Sequence, residues 1–245
     1  MTRALAVVGA WRQIGGVPVL RGLTLNVAAG ECRALVGMNG AGKTTALRAM
    51  LGMLRLDRGE VRLLGQDVRS ERREIWREIG CLVETPLCYP ELTARENLRA
   101  AADLRGADRA SAASRCARFA EVLGLSPWMD VPARRLSLGS RQKVGILAAL
   151  AHRPRLVLLD EPTNALDPLA VVGLREILGE LTTEGTAVLV TGHHLDQIAR
   201  LGGQVDVLHR GRVVETISPE GTDLERAFFD AVLAAERAHG EERRT

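Results

Sequence analysis

The sequence predicts an α/β fold: a mostly parallel sheet carrying a P-loop, with antiparallel strands at its edge and a helical section inserted in the middle. Three observations predict it. Short apolar runs at 35–36, 156–159 and 187–190 alternate with helical stretches, the pattern of a sheet wound with helices. The first run leads into "GMNGAGKTT", residues 37–45, which fits G-x-x-x-x-G-K-[ST] in the strand-loop-helix context that motif requires. The second, "RLVLLDEP", ends in the acids Asp160 and Glu161 before Pro162. Ligands bind α/β sheets at the carboxyl ends of such strands.

Composition bounds the alternatives. A chain of 245 residues with 46% apolar content suits one large α/β domain, or a domain with an inserted lobe, and supplies a sizeable core. Aromatic residues, at 3%, are too few for a stacking platform on single-stranded nucleic acid. The net charge of +3 arises from 33 bases spread among 30 acids, so no nucleic-acid partner is expected. The four cysteines, Cys32, Cys81, Cys88 and Cys116, show no C-x-x-C spacing, which argues against a zinc knuckle or redox pair and fits reduced thiols in the cytosol. There is no signal-peptide pattern, and no apolar run approaches 18 residues. The chain is expected to be soluble by itself and to reach a membrane only through a partner.

Residues 3–36 read as several strands broken by turns at Gly15-Gly16 and Ala29-Gly30, and 43–54 as the helix after the glycine-rich loop. The apolar strand at 81–83 ends in a single carboxylate, Glu84, and passes into a loop bracketed by Pro86 and Pro90. From about 85 to 145 the chain is mostly helical. Thr93 and Glu96 form a capping box ahead of 94–104. Ser111 opens a second helix that carries Cys116, Phe119, Ala120 and Leu123 on one face and is closed by Gly124. "LSLGSRQKVGILAAL", residues 136–150, is a small-residue turn opening a helix; Ser137 and Gly139 there make either a second anion site or an ordinary N-cap by Ser137 or Ser140. Thr222 and Glu225 suggest a last capping box. A short C-terminal helix follows within 220–240, with Leu224, Phe228, Ala231 and Val232 on one face and a frayed "GEERRT" tail.

The motifs carry specific chemistry. Gly37, Gly40 and Gly42 let backbone N–H groups turn towards phosphate oxygens, and the following helix adds its positive end. Lys43 is expected to reach the β- and γ-phosphates of ATP and Thr44 to ligate Mg²⁺, with Asn39 and Thr45 completing the nucleotide-binding loop. Asp160 is expected to hold Mg²⁺ through water, and Glu161 to polarise the attacking water as general base. A strand-terminal acidic pair before a proline is the plainer reading of Asp160 and Glu161; the P-loop beside it favours catalysis.

The order P-loop, "LSLGS", "LLDEP", "NALD" and a strand ending near "TGHH" resembles the ATP-binding subunits of ATP-binding cassette (ABC) transporters over nearly the whole chain. The resemblance implies a single P-loop NTPase domain of ABC type, with an antiparallel β subdomain and an α-helical subdomain inserted over 85–145. It implies a homodimer, or a paired ATPase subunit, packed head to tail, in which Ser137 and Gly139 serve the partner's γ-phosphate across an isologous interface. Asn164, Ala165, Leu166 and Asp167 fall at the family's D-loop, and His193 at its switch histidine, which contacts the γ-phosphate; His194 is a neighbour. Three positions depart from the pattern: Leu138 stands for a glycine, Ser140 for a glutamine, and Ile14, three residues after Trp11, for the aromatic that stacks on adenine. Ile14 would cover the base by apolar contact alone.

Glu84 stands where the family mostly has glutamine. "LVETPLCYPELTARENL" resembles the subgroup that exports bacitracin and lantibiotic-like peptides, whose loop also carries Glu, and Glu84 would reach Mg²⁺ as a hard oxygen ligand. "LERAFF" resembles the short C-terminal helix of these exporters. The implied function is hydrolysis of ATP with Mg²⁺ to drive a separate transmembrane permease. The subunit would be cytoplasmic, peripheral at the inner face of the membrane, and would export a peptide or hydrophobic antibiotic. Two other readings stay open. A non-transport ABC ATPase acting on DNA or the ribosome is disfavoured by the single P-loop and the lack of heptad runs. For an ATP-binding regulatory subunit without turnover, Leu138, Ser140 and Ile14 speak, whereas Glu161 and His193 speak against it.

Overall fold

The computed structural model describes residues 3–70, 73–193 and 203–242; His194 and the end of the tail lie outside them. Strands β1 (Arg3–Ile14), β2 (Val17–Ala28), β4 (Arg58–Leu63) and β5 (Gln66–Asp67) form an antiparallel sheet in the order β2-β1-β4-β5. Gly15 and Gly16, both at positive φ, make the two-residue turn between the paired Ile14 and Val17. The second sheet contains β3 (Cys32–Val36), β6 (Ile79–Leu82), β7 (Leu156–Leu159), β8 (Ala187–Gly192), β9 (Gln204–His209) and β10 (Arg212–Ile217). Its order is β10-β9-β3-β8-β7-β6, parallel throughout except for β10.

The apolar runs of this sheet alternate between two cores. Leu35, Leu156, Leu158, Ala187 and Leu189 pack with the antiparallel sheet and with α1 (Lys43–Met50). Val36, Val157, Leu159, Val188 and Val190 face the opposite way, onto α4 (Leu138–Leu150), α5 (Pro168–Thr183) and Phe228 of α6 (Leu224–Glu242). Both faces are buried, which is why these strands read as continuous apolar runs. Between β6 and β7 the chain builds a helical lobe with α2 (Ala94–Leu104) and α3 (Arg109–Val122), which shares a core with α4. The loop before α2 is ordered by Asn97, whose buried amide accepts from the backbone of Tyr89 and donates to the carbonyls of Tyr89, Leu92 and Thr93.

Element ends differ from the sequence reading in three places, each for a local reason. Helix α1 stops at Met50 rather than 54, because Gly52 turns the chain at φ 68 and the amides of Met53 and Leu54 fold back onto the Arg48 carbonyl. Helix α3 begins at Arg109, because Asp108 accepts from Ser111 N at 2.9 Å and takes the cap. At the C-terminal helix Asp223, not Thr222, accepts from the amide three residues on, that of Arg226 at 3.1 Å, while Thr222 turns back to the Glu220 carbonyl. Helix α4, by contrast, ends at Leu150, where the sequence reading ends it.

One titratable group in this packing has a consequence for stability. His152, after α4, donates through Nε2 to the Ile79 carbonyl at 3.1 Å, and its buried Nδ1 has no hydrogen-bond partner among the described residues. Burial, with Arg105 nearby, lowers its pKa to about 4. The folded state therefore holds a neutral imidazole where the unfolded chain, near 6.5, binds a proton. Stability should fall as pH drops from about 6.5 towards about 4, by at most about 1.4 kcal/mol per pH unit from this group. His152→Gln should flatten that part of the stability curve, read by urea unfolding across the range; an unchanged slope would mean that His152 is not the group responsible.

Candidate functional site

The strand order places four chemistry-bearing segments side by side at the carboxyl edge of the parallel sheet. β3 delivers the glycine-rich loop, its neighbour β8 delivers His193, the next strand β7 delivers Asp160 and Glu161, and β6 delivers Glu84. The loop itself is shaped by close approach. A Cβ at Gly37 would stand 2.5 Å from the Leu208 carbonyl, and one at Gly42 would stand 3.1 Å from that of Val19. Gly42 sits at φ 107 as the N-cap of α1 and supplies no side-chain cap, so the first amides of α1 await an acceptor. An anion is the natural one. Gly40 is also at positive φ, Asn39 and Gly40 are exposed, and Thr45 is half-buried in the first turn.

Lys43 is the buried cation of this cradle. Its Nζ donates to the Gly37 carbonyl at 2.8 Å and lies 3.3 Å from Glu161 Oε1. Thr44 Oγ1 donates to Asp160 Oδ2 at 2.8 Å, and Thr191 Oγ1 donates to Asp160 Oδ1 at 2.6 Å. Asp160, only 4% exposed, is therefore satisfied on both oxygens. Glu161 follows in a left-handed backbone at φ 45; its amide donates to Thr191 Oγ1 at 3.1 Å, and its carboxylate accepts from Asn164 Nδ2 at 2.7 Å and meets His193 Nδ1 at 3.0 Å. Burial raises the pKa of Glu161, but the Asn164 hydrogen bond and the Lys43 and His193 charges outweigh it, and the net shift is downward. The carboxylate is held ionised, the state a proton acceptor needs.

Thr44 and Asp160 offer hard oxygen donors 2.8 Å apart beside the loop, a set that fits a small divalent cation such as Mg²⁺. Glu84 has a partner of its own. Its carboxylate is paired with Arg48 on the last turn of α1, and its backbone is left-handed at φ 61. Among the described residues no three His, Cys, Asp or Glu side chains cluster as a ready metal site.

Ser137 is the N-cap of α4, its Oγ accepting from Ser140 N at 3.1 Å. A Cβ at Gly139 would lie 2.4 Å from the Ala165 carbonyl, so this glycine allows α4 to touch the 164–167 segment of its own chain. Lys143 pairs with Asp167 at 2.7 Å, and Gln142 donates to the Pro162 carbonyl at 3.3 Å across the same contact. Leu138 is exposed, as are Leu169 near the start of α5 and Ile14 at the tip of the β1–β2 hairpin. The sequence reading assigned no role to Thr191, Arg48 or Lys143. Thr191 had one signal, a lone hydroxyl in the apolar run before His193; the other two are ordinary surface-looking bases on helices.

Comparisons with known proteins agree with this geometry. The family described as ABC transporter matches residues 20–164. The bacitracin transport ATP-binding protein BcrA of Bacillus licheniformis is 36% identical over 196 residues, 80% of this chain and 63% of that protein's length. The lantibiotic transport ATP-binding protein SrtF of Streptococcus pyogenes is 29% identical over 227 residues, 92% of this chain and 96% of that protein. Among solved structures, a dimeric ATP-binding cassette in a post-hydrolysis state bound to ADP and Pi superposes with a TM-score of 0.76 at 25% identity, covering 89% of this chain and all of that one.

The tightness of the loop can be measured directly. Gly37→Ala forces a Cβ into the Leu208 carbonyl and should lower the unfolding free energy by about 1–3 kcal/mol. Asn39→Ala, at an exposed position of the same loop, should change it by about 0.5 kcal/mol or less. Equal midpoints in urea for the two variants would contradict the packing described.

Proposed function

The chain belongs to the ABC transporter family, and from that premise we propose that it is the ATP-hydrolysing subunit of an exporter, driving a separate transmembrane permease. The observation that carries the reading is the convergence of Lys43, Thr44, Asp160, Glu161 and His193 on one strand edge beside an uncapped helix N-terminus. In this reading the amides of the 37–45 loop bind the phosphates. Lys43 exchanges the Gly37 carbonyl for the β- and γ-phosphate oxygens. Thr44 and Asp160 hold Mg²⁺, which supplies positive charge against the phosphates. Glu161 accepts the proton of the attacking water, with Asn164 and His193 fixing its carboxylate. Ile14 covers the adenine by apolar contact.

The subunit acts as a pair. The exposed apolar side chains Ile14, Met38, Leu138 and Leu169 flank the loop and the start of α4, and a second cassette packed head to tail would cover them. Ser137 and Gly139 of each copy would then face the other copy's phosphates. The permease contact is placed at a groove of about 390 Å³ between β6 and the helical lobe, rimmed by Met53, Leu87, Tyr89 and Leu104. Leu104 is 75% exposed and Leu87 96%, a strip of apolar surface suited to a permease helix lying across the inner membrane face. No helix among the described residues is long and apolar enough to cross a membrane. The relatives named for bacitracin and lantibiotic transport point to a peptide antibiotic as cargo.

Phosphate release from MgATP tests the reading. Lys43→Ala should weaken MgATP binding and abolish turnover, since the buried side-chain cation of the cradle is lost. Glu161→Gln should retain ATP but lose about 10²-fold or more in rate, and should accumulate a dimer with MgATP in light scattering. Wild-type turnover in Lys43→Ala would refute the phosphate site, and a monomeric Glu161→Gln at saturating ATP would refute the head-to-tail pair. Leu104→Glu should remove the permease from co-purified complexes; full retention would move the docking site elsewhere.

A further inference from the structure

Resting on the ATPase reading above, we propose that Arg48 is a positioning residue that competes with the nucleotide-bound cation for the Glu84 carboxylate. Arg48 lies four residues after Thr44 on α1, so the two side chains share one helix face about 6 Å apart along the axis. Glu84 emerges at the same edge: it follows β6 by two residues, and the Leu82 carbonyl accepts from the Asp160 amide at 2.7 Å. The loop that carries Glu84 therefore starts beside Asp160, and its carboxylate meets Arg48, one helical turn along α1 from Thr44. Glu84 makes this pairing from a left-handed backbone at φ 61, rare for a residue with a side chain.

The pair is built to exchange. Both side chains are about half exposed, 45% for Arg48 and 48% for Glu84, so solvent screens their attraction. Such pairs change equilibria by factors of roughly one to five. A divalent cation between Thr44, Asp160 and the phosphates is a stronger and less screened attractor. Binding of the cation then releases Glu84 from Arg48, and the loop between Pro86 and Pro90 moves with it. That loop lines the groove assigned above to the permease, so Arg48 tunes how strongly the metal, rather than the nucleotide alone, reaches the docking surface.

Titration of a fluorescent ATP analogue, with Mg²⁺ and in EDTA, decides the proposal through the ratio of the two affinities. Arg48→Gln should raise that ratio by up to about fivefold, since Glu84 no longer has to leave a cation. Arg48→Lys should return it towards the wild-type value. Glu84→Gln should lower the ratio, and adding Arg48→Gln to Glu84→Gln should have no further effect. An equal change in both affinities on Arg48→Gln would overturn the proposal, because Arg48 would then only attract phosphates through space. A shift that persists in the Glu84→Gln background would overturn it as well. Wild-type protein that binds the analogue under neither condition would remove the ATPase reading and this inference together, whereas normal binding with an unchanged ratio in Arg48→Gln removes only the inference.

Discussion

The Asp160 carboxylate holds the site together. Its two oxygens are taken by hydroxyls from different elements, Thr44 in the first turn of α1, which follows the loop after β3, and Thr191 near the end of β8, while its own amide is bound to β6 through the Leu82 carbonyl. One buried acid thus links the carboxyl ends of β3, β8, β7 and β6. A buried carboxylate is tolerated only where hydrogen bonds replace its water, and here the replacement comes from the segments that must stay in register for the site to exist. The apolar sheet beneath fixes the strands. Asp160 fixes what leaves them.

Charge completes the arrangement. Lys43 would be a costly isolated cation in its pocket, and the Gly37 carbonyl and Glu161 compensate it. Glu161 is in turn held by Asn164 and His193, so the base, the cation and the histidine that follows β8 form one polar cluster around an anion-ready helix end. The cluster is balanced with the side chains this chain has. Lys43 and Glu161 are each other's counter-charge, so a change in the surroundings of one alters those of the other.

How much of this was legible in the sequence depends on the distance over which each feature is decided. The loop from Gly37 to Thr45, the Asp160-Glu161 pair and the Thr93 capping box are local patterns whose backbone requirements are written in a few adjacent residues, and the strand alternation places them on one edge. Cap positions were legible only to within three residues, because Asp108 and Asp223 take a capping role that the nearby Ser111 and Thr222 could also fill. Partners across the fold were not legible. Arg48 and Glu84 are 36 residues apart, and their meeting depends on how far α1 runs before Gly52 ends it. Glu84 could be read as the lone acid at a strand end, but the side chain that holds it could not. Gly139 looked like a phosphate-binding glycine; its close approach to the Ala165 carbonyl is a property of two segments packing, and no local pattern announces it.

That packing bears on how the two ends of the site communicate. Gly139, Gln142 and Lys143 on the first turns of α4 contact Ala165, Pro162 and Asp167, and Asn164 in the same short segment holds Glu161. The segment from 160 to 167 is therefore fixed at one end by Asp160 and along its length by α4. Two of its residues, Glu161 and Ala165, have left-handed backbones that leave little freedom to shift independently. A displacement of the α4 N-terminus, where Ser137 and Leu138 face outward, must be absorbed by the segment that positions the Glu161 carboxylate. The exposed end of α4 and the Glu161 carboxylate are thus joined through one short segment of the chain.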